Sequence, residues 1–172
     1  LLQKSITDRI ERAVRDARAI ILVVDVDTGP TDEDVKLLSR LREYRDRMHL
    51  AVNKVENAQD EIEATDFYRL GFEDLYMISA LHGRGVGDLL DAVTADLPDS
   101  VSIEDGPREL RIAVTGRPNV GKSSLVNALS GEDRHIVSEM PGTTRDTLDI
   151  RIRHHGRDIV VVDTAGVKRR SR

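Results

Sequence analysis

The sequence has no cysteine and no tryptophan, and three tyrosines and two phenylalanines leave aromatics at 3% of its 172 residues. Without cysteine there are no disulfides, no thiolate metal sites and no thiol nucleophile, which suits a reducing cytoplasm. So few aromatics cannot supply the stacking platforms on which single-stranded nucleic acids are bound. Long hydrophobic runs are missing too. The longest, Ala19 to Val24, has six residues, whereas a membrane helix needs about 20. Residues 1–16, LLQKSITDRIERAVRD, are amphipathic rather than a secretory leader, so a cytoplasmic location and no membrane partner are expected. A net charge of −5 excludes a protein that coats DNA by charge alone. Apolar residues at 39% and charged residues at 33% fit a folded chain of one domain, or two small ones.

The charge is unevenly spread. Residues 110–172 carry 12 basic and 7 acidic side chains, net +5, and residues 1–109 carry 14 and 24, net −10. Helix and strand periods alternate along the same chain. Ile6, Ile10, Ala13 and Val14 recur at helical spacing, so 3–18 reads as an amphipathic helix. AIILVVDV (19–26) is a strand buried on both faces, and Asp27-Thr28-Gly29-Pro30 is a turn. Thr31 caps the next helix with Asp34 three residues on, and Val35, Leu38 and Leu41 form its inward stripe. Strands at 49–55 and 75–80 and helices near 59–69 and 86–96 follow. The segment 98–109, with two prolines and four acidic residues, reads as a linker. Then come a strand (110–116), a helix (122–129) with Leu125, Val126 and Leu129 inward, a polar stretch (130–146), and strands 147–154 and 157–163 joined at His155-Gly156. The last nine residues have no period.

Gly116-Arg-Pro-Asn-Val-Gly121-Lys122-Ser123 is G-x-x-x-x-G-K-S, directly after a strand and at the start of a helix. Glycines let the backbone wrap phosphates, and loop amides with the helix N-terminus supply positive potential. Lys122 would reach the β- and γ-phosphates and Ser123 would ligate Mg²⁺, with Val120, Gly121 and Ser124 completing the nucleotide contacts. Asp163-Thr-Ala-Gly166 ends a later strand, where the carboxylate can hold Mg²⁺ and the Gly166 N–H can meet a γ-phosphate. Between them, Gly142-Thr143-Thr144-Arg145-Asp146 offers a threonine for the Mg²⁺ shell. Asn53-Lys54-Val55-Glu56 and Ile78-Ser79-Ala80 close two earlier strands. A carboxylate near Asn53 can accept from the donor edge of guanine, the Ala80 N–H can donate to O6, and the Lys54 stem can cover the base.

GRPNVGKSSLVNAL, PGTTRD, DTAGVKRRSR and SALHGRGVGDLLDAV resemble stretches of the Der (EngA) family, tandem G-domain GTPases of the translation-factor-like class. The resemblance covers the chain in two halves. Residues 1–97 are similar to the back half of a first G domain, 98–109 to the inter-domain linker, and 110–172 to the front half of a second. It implies a P-loop NTPase of the Ras-like G-domain class: α/β, with a six-stranded, mostly parallel sheet and helices on both faces. The base-recognition loops come first and the phosphate loop last, so a single circularly permuted domain with its ends in switch II is expected. A two-chain swap with the same contacts is the alternative. The spatial strand order should be fifth, sixth, fourth, first, second, third, with the fifth antiparallel.

The resemblance carries roles to matching positions. Asn53, Lys54 and Glu56 match the guanine-reading motif, and Ser79 and Ala80 the second base loop. Thr144, backed by Thr143, matches the switch I Mg²⁺ ligand, and Asn119 an asparagine that binds K⁺ between the phosphates. It implies GTP/GDP binding, slow Mg²⁺-dependent, K⁺-stimulated hydrolysis through Lys122, Asn119, Thr144 and Gly166, and a large-subunit ribosomal RNA partner that is weak or absent here. Two positions depart from the wider pattern. Glu56 stands where aspartate is usual, and Val167 where Ras-like proteins carry a water-positioning glutamine. The alternative is a module that holds mostly GDP without turnover, and an ATPase or kinase would need different base loops. Asp25, Asp27 and Asp34 fail the spacing of a calcium loop. His49, His82, His135, His154 and His155 show no metal-ligand spacing beyond one adjacent pair, so they are expected to be surface residues. The basic residues Arg151, Arg153, His154, His155 and Arg157, with Lys168 to Arg172, form either an RNA-facing patch or a solvated face.

Overall fold

The computed structural model describes residues 11, 13–95, 110–130 and 149–163, of residue 163 the backbone alone. Six strands, β1 (Ala19–Asp25), β2 (Met48–Asn53), β3 (Leu75–Met77), β4 (Leu110–Thr115), β5 (Asp149–His154) and β6 (Arg157–Asp163), form one sheet in the order β3-β2-β1-β4-β6-β5. This is the expected order, and only β5 runs antiparallel to its neighbour. The seam between the two parts of the chain is the parallel pairing of β1 with β4, Ala19 opposite Ile112 through Leu22 opposite Thr115. β1 is buried from end to end, as its unbroken apolar run requires of a central strand.

Successive side chains of a strand point to opposite faces, and the core divides accordingly. On one face Ala19, Ile21 and Val23 pack with Ala51, Ile112, Val114 and Val161 against α3 (Val86–Ala95) and α4 (Lys122–Leu129). On the other, Ile20, Leu22 and Val24 pack with Leu50, Val52 and Ala113 against Val14, Ala17, Leu38, Leu41, Ala64 and Phe67. These last belong to the helical turn at 13–16 and the segments around α1 (Asp32–Arg40) and α2 (Ala58–Ala64). Helices therefore cover both faces. Among the described residues no helix is long and apolar enough to cross a membrane.

Thr31 caps α1 as expected, in a reciprocal capping box with Asp34. The inward stripe differs at one position. Val35 is half exposed, while Asp34 is fully buried. The segment after α2 is not a continuous α-helix to 69. It tightens into a 3-10 helix at Thr65–Leu70, where Thr65 Oγ1 bonds the Ile62 carbonyl at 2.6 Å and Gly71 ends it in the left-handed region. β1, β2 and β3 stop one to three residues short of their expected ends, because Val26 enters a 3-10 turn and the chain leaves the sheet into the loops at Lys54 and Ile78. At the β5–β6 turn both His155 (φ +47°) and Gly156 (φ +79°) are left-handed, as a two-residue hairpin of the favoured twist demands. The linker 98–109 and most of the first expected helix lie outside the described residues.

Candidate nucleotide site

β4 ends at Thr115 and the chain turns at Gly116 (φ +149°), where a Cβ would stand 2.3 Å from the Val23 carbonyl oxygen. Asn119 (φ +65°) and Gly121 (φ +96°) are also left-handed. Such residues gather successive backbone N–H groups into an anion nest, and this one leads into the N-terminus of α4. Lys122 is largely buried, and its Nζ donates to the carbonyls of Gly116 (3.0 Å) and Arg117 (2.6 Å). The lysine thus holds its own loop closed. Ser123 and Ser124 are half-buried in the first turn, and Asn119 is exposed. Val120 is packed in the core, so its side chain is structural and only its backbone is left for a ligand.

Asn53 ties this loop to the base loops. Its Nδ2 donates to the Val120 carbonyl at 2.8 Å and its Oδ1 accepts from the Ala80 N–H at 2.9 Å, both buried. The Ala80 N–H, expected to face a guanine O6, is therefore directed at Asn53. Sequence reasoning placed Asn53 on the base and missed that it bridges the loop after β3 to a phosphate-loop carbonyl 67 positions along the chain from it. The loop after β3 is tight, with Ser79 accepting at its carbonyl from both His82 and Arg84 N–H groups. Ser79 Oγ is buried with no hydrogen-bond partner among the described residues.

Lys54, itself left-handed, does not lie free. Its Nζ meets Asp25 at 2.6 Å and Asp27 at 3.0 Å. The hydrogen bonds it donates to Asp25, chiefly, and then to Asp27 raise the ammonium pKa above its ordinary value, so it stays charged at any physiological pH. Glu56 presents a half-exposed carboxylate, 3.5 Å from His82 Nε2, while its N–H donates to Asp60 at 2.8 Å.

A further contact was not legible in the motifs. Arg117, a variable position of the phosphate loop, donates from Nε to buried Asp34 (2.8 Å) and from Nη2 to Thr28 Oγ1 (2.8 Å). The only signal in the sequence was the capping box that keeps Asp34 in place.

The backbone of Asp163 ends β6 in register with Val114 of β4, at the same sheet edge as the phosphate loop. Thr143, Thr144, Gly166 and Val167 lie outside the described residues, as do His135 and Lys168 to Arg172. The histidines are not uniformly on the surface. His49 is buried in β2 with its ring against Tyr76, centroids 5.8 Å apart, and the His154 side chain is only 10% exposed. Nor is the basic cluster simply open to RNA. Arg153 pairs with Asp158, His154 and His155 with Asp91, and Arg157 with the Thr94 carbonyl.

A family model described as "50S ribosome-binding GTPase" matches residues 111–172. GTPase Der of Symbiobacterium thermophilum is 49% identical over 174 aligned positions, taking in 99% of this chain and 36% of that protein. The GTPase Der proteins of Desulfitobacterium hafniense and Christiangramia forsetii are 46% and 44% identical, over 94% and 100% of the chain. The chain spans little more than a third of these relatives, 36–39% of their length. Among solved structures, YjeQ from Thermotoga maritima shares the fold, with a TM-score of 0.52 at 19% identity over 86% of this chain and 47% of that one.

Proposed function

We propose that this chain, which resembles the GTPase Der proteins along nearly its whole length, binds guanine nucleotide and hydrolyses GTP slowly as a GTPase of ribosome-assembly type. One observation carries the reading. The G-x-x-x-x-G-K-S loop between β4 and α4 is closed by Lys122 and fastened through Asn53 to the loop after β3. Phosphate-binding and base-binding segments are thereby held at one edge of one sheet, where open α/β sheets bind ligands. The unit is a single circularly permuted G domain, 1–97 supplying base recognition, 98–109 the linker and 110–172 the phosphate loop and switches.

The loop amides and Lys122 take the phosphates, backed by Val120, Gly121 and Ser124. Glu56 takes the donor edge of guanine, one methylene longer than the usual aspartate. Ser123, with Thr144 and Asp163, would hold Mg²⁺, and Asn119 would hold K⁺. These cations supply charge neutralisation as phosphoryl transfer proceeds. The Gly166 N–H would meet the γ-phosphate, and Val167 in place of a water-positioning glutamine would make turnover slow. The half-buried hydroxyl of Ser123 at the start of α4 and the exposed amide of Asn119 in the loop suit those donor roles. Large-subunit ribosomal RNA, the partner implied by the family, binds this chain weakly at most, because most of the hairpin's basic side chains are already paired.

The test measures GTP, GDP and ATP affinity together with single-turnover hydrolysis in K⁺ and in Na⁺. Guanine nucleotides should bind more tightly than ATP, and hydrolysis should be faster in K⁺. Equal affinity for ATP would refute guanine recognition, and identical rates in the two salts would refute the role of Asn119. Lys122→Ala should abolish tight binding of GTP.

A further inference from the structure

At the far end of β6 from the phosphate loop, the β5–β6 hairpin presents two histidines to one aspartate of α3. Asp91 Oδ1 lies 2.6 Å from His154 Nε2 and 3.0 Å from His155 Nε2, and the three potential ligand atoms all fall within 4.8 Å of one another. Neighbouring residues of a strand normally point to opposite faces. Here the left-handed backbone of His155 swings the second ring round beside the first, with centroids 4.1 Å apart and planes tilted by 51°.

We infer that Asp91, His154 and His155 form a binding site for a divalent cation of the later transition series, Zn²⁺ above all. Two imidazoles and a carboxylate match three-ligand sites of that ion and suit Mg²⁺ or Ca²⁺ poorly. Tetrahedral bonds of about 2.0–2.1 Å put ligand atoms roughly 3.3 Å from one another. The site needs a modest adjustment of the Asp91 and His155 side chains, both well exposed, which also leaves the ion a path in. His154 is held by its surroundings and supplies the fixed ligand. The hydrogen bond from His154, chiefly, keeps the Asp91 carboxyl below its ordinary range and therefore ionised. When the ion binds, the Nε2 proton of a neutral ring moves to Nδ1, and that of an imidazolium is released.

The site lies along the whole of β6 from Asp163, roughly 20 Å at the rise of an extended strand, so it is separate from nucleotide binding. Its ligands stand 63 and 64 positions apart, one before the expected linker and two after it. An ion there would cross-link the two parts of the chain, where Arg157 already donates to the Thr94 carbonyl of the same helix.

The full chain, treated with EDTA and free of nucleotide, should take up one Zn²⁺ per molecule in a calorimetric titration and should melt at higher temperature with the ion. Co²⁺ should give the visible absorption of a tetrahedral complex. Asp91→Asn and His155→Gln, both at exposed positions, should each weaken Zn²⁺ binding about tenfold or more, and the pair His154→Gln with His155→Gln should abolish it. GTP affinity should not change in these variants, which checks that they fold. No saturable Zn²⁺ uptake overturns the proposal. So does uptake unaffected by Asp91→Asn and His155→Gln, or uptake lost instead on substituting His82, the histidine beside Glu56.

Discussion

Gly121 and Asn53 meet where the phosphate loop touches the base loops, and the fit leaves no room for a methyl group. A Cβ on Gly121 would stand 2.0 Å from Asn53 Nδ2, at a backbone φ of +96°. Gly121→Ala must therefore bear left-handed strain and displace the amide that bonds the Val120 carbonyl. The expected cost is about 1–3 kcal/mol, read by urea unfolding, with GTP affinity falling about tenfold or more. Gly29 is the internal comparison. Its φ of +61° with ψ of −178° is a backbone region essentially confined to glycine, but nothing lies within 4 Å of a Cβ there, so Gly29→Ala should cost about 1–3 kcal/mol from backbone strain alone and leave nucleotide affinity unchanged. Asp34 is the other position where one side chain carries several contacts. Fully buried, it accepts from the Thr31 N–H, the Thr31 hydroxyl and Arg117 Nε at 3.0, 2.8 and 2.8 Å. Asp34→Ala removes the carboxylate half of the capping box on α1 and takes the counter-charge from a guanidinium that is only 17% exposed, so a loss of about 3–5 kcal/mol is expected. Adding Arg117→Met should recover part of that loss, as a double-mutant cycle would record.

At the scale of elements, the unbroken apolar run of β1, the capping box of α1 and the turn at His155-Gly156 were legible because each is decided by neighbours in sequence. What was not legible was decided by distant partners. The helical period assigned Val35 inward, yet Asp34 takes the inner position because the cation it meets comes from Arg117, 83 positions away. Lys54 reads as a lid for a base, but Asp25 and Asp27, on the neighbouring strand end, claim its ammonium group. Asn53 reads as a base contact, and its two bridging bonds appear only once β2, the loop after β3 and the phosphate loop share one sheet edge. The β5–β6 hairpin offers a pH test of a different kind. Arg153 and Asp158 sit directly opposite each other across the ladder and pair through two bonds, 2.9 and 3.3 Å. The guanidinium holds the Asp158 carboxyl below its ordinary range, which is about 3.9. A carboxyl depressed in the folded state contributes stability that is present above the unfolded value and lost as pH falls through the folded one. Between about pH 5 and pH 2 the wild-type hairpin should therefore lose more amide protection than Asp158→Asn, which has no such carboxyl to protonate.

The whole molecule is held together by contacts that run between residues before and after 98–109. β1 and β4 pair in parallel at the centre of the sheet, and one core cluster takes Ile21, Ala51 and Leu90 from the first part and Ile112, Leu125 and Val161 from the second. Asn53 with Val120, Asp34 with Arg117 and Asp91 with His154 add polar links across the same boundary. The opposite net charges of the two parts, −10 and +5, favour that union at low salt and are screened at high salt. Neither part can keep its apolar face dry without the other, since the inner flank of β1 is covered by β4 and the inner flank of β4 by β1. Unfolding should then be one cooperative transition, with tyrosine fluorescence, all of it from Tyr44, Tyr68 and Tyr76 in the first part, coinciding with far-ultraviolet circular dichroism. Leu125 gives the sharper measurement. It is fully buried on α4 in the cluster shared by both parts, and Leu125→Ala should cost about 2–5 kcal/mol. If the two parts make one domain, hydrogen exchange will show that loss equally in β2 and β6, which lie on opposite sides of the β1–β4 seam. Protection lost from β4 and β6 alone, with β2 unchanged, would mean that the parts fold independently and that the single permuted domain is wrong.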